Sequence, residues 1–269
     1  MKLFAPNVIV MGDKLFSISR AQSRASTPAE AERFETAIMA IRDKITATAF
    51  GRKFLDIIGN NKQPIAIVPA VETDNALTQA NSGTDASSAD FSKTTADGTI
   101  AFGSGRGSMT RIFINPFGTF EDVGVERTLV HELTHAYRQA RGRWRPASMT
   151  QFVLSPPHPA TVLMSFPDWE EWFGVVVEGV WASEAGASKV RIAQQRGVFF
   201  MTFAERPSGP SPWAPDEKPI NPSDRFAERY DRAITRILME ESDLYFAMKS
   251  SRGWFNPIKV HSDRQSEIQ

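Results

Sequence analysis

VGVERTLVHELTHAYRQARG, residues 123–142, is the stretch on which the reading of this chain turns. Leu129, Val130 and Leu133 give it an apolar side, and the pattern predicts a helix from about Val123 to Arg141 that stops before Gly142. Inside it stands HELTH at 131–135. Each helical residue advances about 100°, so positions i and i+4 lie one turn apart on one face, about 6 Å along the axis. His131 and His135 therefore point the same way, and two imidazoles at that spacing suit one tetrahedral zinc ion. Glu132 is turned about 100° away, placed to act on a water rather than to ligate. Its expected role is that of general base. Without metal, the two histidines would be hydrogen-bonded helix residues, but that reading gives Glu132 no reason to be a carboxylate.

Catalytic zinc usually keeps three protein ligands. The residues leave the third open. His158 and His261 are candidates, as are the carboxylates of DWEEWFGVVVEGVWASE, residues 168–184. That segment reads as a helix from an Asp168 N-cap to about Ala185, on which Glu171 and Glu178 share a face and Glu170 is turned away by about 100°.

Working outward, NVIVMGDKLFSI (7–18) reads as a strand, a Gly-Asp turn and a second short element. From Thr27 the chain has helical spacing: Thr27 as N-cap, Pro28 in the first turn and Glu30 completing a capping box. Phe34, Ile38, Ile41 and Ile45 form its buried face, and the helix is expected to break near Gly51 and resume through Ile58. PIAIVPA (64–70) is a buried strand. Residues 73–98, rich in Ser, Thr, Asp, Asn and Ala, read as one long polar loop. TIAFGS (99–104) and MTRIFIN (109–115) are strand-like around a Gly-Arg-Gly turn, the second a candidate edge strand for pairing with a substrate backbone. Residues 205–223 hold six prolines and read as a loop. A last helix is expected over about Asp224 to Met248, followed by a tail.

Composition sets outer bounds. The 269 residues are 41% hydrophobic and 23% charged, enough for a substantial core. The formal net charge is zero, so no global field draws the chain to nucleic acid or to an anionic membrane. With no cysteine, disulfides and thiolate zinc sites are excluded, and any metal must rest on histidine and carboxylate. No apolar run approaches the roughly 20 residues of a bilayer span. Residues 1–12 read as a strand rather than a cleavable signal peptide. Arg138, Arg141, Arg143 and Arg145 cluster where a helix dipole favours cations, and Trp172, Phe173 and Tyr137 read as packing residues.

HELTHAYR followed by a helical EEWFG resembles the gluzincin arrangement. NVIVMGD, ITATAFGRKFLDIIGNNKQPIAIV and AFGSGRGSMTRIFINP extend the likeness over roughly residues 8–187, towards the bacterial effector and polymorphic-toxin zinc peptidases related to the type III effector NleD. The resemblance implies an α+β, zincin-like fold with a small N-terminal sheet, an active-site helix and a C-terminal helical part. We expect 1–269 to form one metallopeptidase domain, with 1–187 as the core that carries the resemblance and 188–269 as a helical extension or subdomain that does not. The resemblance makes Glu171 the third ligand to Zn2+. Val175 stands where the thermolysin-like pattern has an acidic residue, so the orienting carboxylate would be Glu178, Glu170 or Asp168. Tyr230, Tyr245 and His261 are the candidate oxyanion donors. The implied activity is cleavage of a protein substrate, a signalling kinase in the best-known members, in another cell reached by a signal-peptide-independent export route. The rival expectations are a binding protein without turnover and a zinc hydrolase of a non-peptide amide.

Overall fold

A computed structural model describes residues 1–73, 76–86, 93–94, 100–101, 105–118, 120, 123–145, 166, 168–194, 201–207 and 221–268. The chain divides into two compact units, Met1–Arg145 and Pro146–Gln269. Helix and sheet are mixed.

The first unit opens with β1 (Lys2–Ala5), β2 (Val8–Val10) and the hairpin of β3 (Lys14–Ser17) and β4 (Gln22–Ala25). Helix α1 (Pro28–Thr46) starts as its sequence predicts. Thr27 accepts from the Glu30 backbone while the Glu30 carboxylate accepts from the Thr27 N–H at 2.8 Å. The break before α2 (Ala49–Gly59) falls at residues 47–48, not at Gly51. Thr48 is the N-cap, accepting from the Gly51 N–H at 2.9 Å. Gly51 lies inside the helix because a Cβ there would meet the Ile45 carbonyl oxygen at 1.9 Å. The kink needs a residue without a side chain just after it, rather than at it.

Then come β5 (Ile65–Pro69), β6 (Leu77–Ala80), the short α3 (Gly83–Ala86), β7 (Lys93–Thr94) paired with β8 (Ile100–Ala101), β9 (Thr110–Ile114) and α4 (Val125–Ala140). Five strands make the main sheet in the order β1-β2-β5-β9-β6. The β2, β5 and β9 strands are parallel, and β1 and β6 run antiparallel at the two ends. Two expectations are corrected. The segment read as one polar loop contains an edge strand, β6, and a helical turn. β9, read as an edge, is paired on both sides: Ile112 aligns with Ile67 of β5 and with Thr78 of β6. Polar composition hid β6 because its four residues, LTQA, carry only two apolar side chains.

All five residues of β5 are buried, as a strand covered on both faces must be. Ala66, Val68, Ala70 and Phe113 form a cluster with Phe16, whose ring meets Phe113 edge-on at 5.1 Å. Helix α4 packs against β5, β9 and β6. It ends at Gly142, with φ +68, where Gly142 N–H donates to the Gln139 carbonyl and Arg143 N–H to that of Arg138. A Cβ at Gly142 would lie 2.4 Å from the Gly105 backbone, so both conformation and space demand glycine.

The second unit is built on α5 (Trp169–Glu184), buried along nearly its whole length. Asp168 caps it, accepting from the Glu171 N–H at 3.0 Å. An antiparallel hairpin of β10 (Lys189–Gln194) and β11 (Met201–Glu205) follows, with β10 against α5. The expected C-terminal helical part thus also contains this hairpin. The expected single helix over Asp224–Met248 is three: α6 (Pro222–Arg229), α7 (Asp231–Glu240) and α8 (Ser242–Lys249). Neither junction contains glycine or proline, so periodicity ran through both. The expected tail is a fourth helix, α9 (Pro257–Ile268). Asn256 leads into it, its side-chain amide donating to the Met248 and Ser251 carbonyls at 2.8 and 3.1 Å. Trp172, Phe226 and Tyr230 pack together, with Phe226 and Tyr230 centroids 4.6 Å apart. No described helix is long and apolar enough to cross a membrane.

Candidate metal centre

Helix α4 holds His131 and His135 on one face as the spacing requires. Both rings are buried, their Nε2 atoms lie 2.9 Å apart and the rings meet edge-on. Zinc–nitrogen bonds of about 2.0–2.1 Å in tetrahedral geometry ask for roughly 3.3 Å between two such nitrogens. A small ring rotation covers the difference. Trp144 stands edge-on to the His135 ring at 5.2 Å, a neighbour that the sequence did not flag. It is held there by its own N–H, which donates to the Ala86 carbonyl of α3.

Glu132 is also buried. The Thr78 hydroxyl of β6 lies 2.5 Å from Glu132 Oε2 and 3.1 Å from the Glu132 carbonyl oxygen. Sequence reasoning passed over Thr78 because it lies in the segment read as loop. The available signal was its place between two residues, Leu77 and Gln79, that strand alternation turns the other way.

Glu171 occupies the first turn of α5 and is half-buried. Within the first unit His131 and His135 each offer one ring nitrogen to a metal ion, and the expected third donor, Glu171, belongs to the second unit. Two imidazoles and a carboxylate form a donor set that suits a borderline divalent cation.

Glu170 is buried on α5. Glu178 is fully buried and forms an ion pair with Arg191 of β10. His261 lies in α9, with Nδ1 3.0 Å from the Tyr245 hydroxyl and Nε2 3.1 Å from the Thr235 hydroxyl. Burial pulls its pKa down, against the opposing pull of Asp231. Burial also raises the Tyr245 hydroxyl, and it pushes Tyr230, inside the aromatic cluster, up to about 12. His158 lies outside the described residues. Arg138 is fully buried and donates to the Arg143 carbonyl, stitching the helix terminus as a cation there should. Tyr137 is buried beneath Arg141, and Trp172 and Phe173 are core, as expected.

Comparison with known proteins finds no family model that matches this chain and no curated protein that matches it.

Proposed function

We propose that this protein is a zinc-dependent endopeptidase with a zincin-like catalytic arrangement. The single observation that carries the reading is one turn of α4 that sets the buried imidazoles of His131 and His135 side by side, with the Glu132 carboxylate next to them. His131, His135 and Glu171 would hold the ion. When bound, zinc supplies Lewis acidity towards a carbonyl oxygen and makes a water acidic enough to be deprotonated near neutral pH. Glu132 takes that proton as the water oxygen bonds to the scissile carbonyl carbon. It then delivers the proton to the amide nitrogen as the C–N bond breaks, so that a carboxylic acid and an amine result. Burial of both imidazoles keeps bulk water from competing for the site. The resemblance to the NleD-related peptidases supports a protein substrate in a cell other than the producing one. The zero net charge agrees with a substrate chosen by local contacts rather than by a global field.

The test combines metal content and turnover. Purified protein should contain about one zinc per chain, as a three-ligand site predicts. It should cleave members of a proteome-derived peptide library, read as new N-termini by mass spectrometry. Glu132→Ala should keep the metal and lose at least the 10²–10⁴-fold that general-base catalysis supplies. Metal-free protein, or full turnover by Glu132→Ala, overturns the proposal. Zinc binding without cleavage points to the binding-protein reading.

A further inference from the structure

The β6 strand turns one polar side chain towards α4. Its neighbours Leu77 and Gln79 are exposed, whereas Thr78 is half-buried and meets Glu132 twice, at the carbonyl oxygen and at Oε2. A threonine hydroxyl has one proton, so it can donate to only one of these acceptors at a time. The distances decide: 3.1 Å to the carbonyl is an ordinary contact, while 2.5 Å to Oε2 lies in the range of a charge-assisted O–H···O⁻ bond. A purely structural role would need no such bond. Valine has nearly the same shape and fits a strand as well, so the hydroxyl is what the position adds.

Resting on the peptidase reading above, we infer that Thr78 is a positioning residue that holds the general base. Three features make it a rigid handle. The side chain is β-branched and therefore stiff about its first torsion. Its backbone is fixed by antiparallel register, Thr78 opposite Ile112. The strand that carries Ile112 is itself locked by pairing with β5. A glutamate has three side-chain torsions, and ordering them costs up to about 2 kcal/mol of rotamer freedom. A hydrogen bond to one carboxylate oxygen fixes the rotation of the carboxylate plane, and so the direction from which Glu132 takes the proton of water and later returns it. Thr78 keeps its own proton throughout.

The experiment uses the zinc-loaded full chain with three variants: Thr78→Val, Thr78→Ala and Thr78→Ser. The kinetic substrate is the fastest-cleaved peptide of the library. Thr78→Val should lower kcat roughly tenfold, a fraction of what a general base contributes, with KM and zinc content unchanged. Thr78→Ala should do the same, and Thr78→Ser, which keeps the hydroxyl but not the branched carbon, should restore most of the lost kcat. A readout independent of turnover is the side-chain carboxyl resonance of Glu132 in protein labelled with 13C-glutamate, assigned by its loss in Glu132→Ala. It should move in Thr78→Val and return in Thr78→Ser. An unmoved resonance overturns the bond. Full kcat in Thr78→Val, from an enzyme that does cleave the peptide, overturns the positioning role and leaves the peptidase reading standing. No cleavage by the wild type overturns the peptidase reading, and the role of Thr78 in catalysis goes with it.

Discussion

Glu171 sits in the first turn of α5, its backbone N–H capped by Asp168, and it is the proposed third ligand. Glu170, next to it, is more deeply buried and is not proposed as a ligand. This difference between adjacent carboxylates is sharp enough to test. Glu171→Gln should weaken zinc binding by more than the 10–100-fold that loss of a residue merely supporting a ligand produces. His135→Ala should do likewise, while Glu170→Gln should retain the metal. Competition against a zinc-specific chelator reads all three, and wild-type affinity in Glu171→Gln would remove it as a ligand. At this scale the histidines were legible because an i, i+4 pair on one helix is local geometry. Thr78 was not, because its contact with Glu132 joins residues 54 apart in sequence. No short window holds both.

At the scale of elements, capping chemistry and periodicity were the reliable guides. The Thr27–Glu30 box, the Asp168 N-cap and the Gly142 terminus all stand where short-range rules put them. What failed was the placing of breaks. Gly51 looked like the end of a helix and instead lies inside α2, which sets up a conflict between two effects of known sign. Replacing a helical glycine by alanine normally gains about 0.5–1 kcal/mol. Here the added methyl would sit 1.9 Å from the Ile45 carbonyl oxygen, a backbone atom that cannot swing away. Overpacking of this kind typically costs 1–3 kcal/mol. Gly51→Ala should therefore lower the urea unfolding midpoint. A raised midpoint would show that the junction of α1 and α2 can open without penalty. The same class of error merged α6, α7 and α8. Their junctions contain no breaker residue, and Phe226, Tyr230 and Leu244 beside them are buried.

For the molecule as a whole, acid is the informative stress. His261 is buried, with Tyr245 and Thr235 on its two ring nitrogens and Asp231 and Arg264 as its charged neighbours. Burial lowers its pKa below the usual value near 6.5. In the window beneath that value the unfolded chain binds a proton that the folded chain does not, so stability rises with pH through the window and is lost on acidification. Between pH 7 and 5 the melting temperature should fall, and His261→Gln should flatten that fall. An identical pH slope in the variant would assign the acid lability to other groups.

The sequence alone determined what depends on neighbours along the chain. It placed the histidine pair, the helix caps, the buried strand at Ile65–Pro69 and the exclusion of thiolate chemistry, because each rests on spacing within a few residues or on a residue type being absent. Tertiary structure decided which strand forms the sheet edge and which hydroxyl reaches Glu132. Those outcomes belong to packing, where groups far apart in sequence meet at van der Waals distance and the local pattern of either partner carries no record of the other.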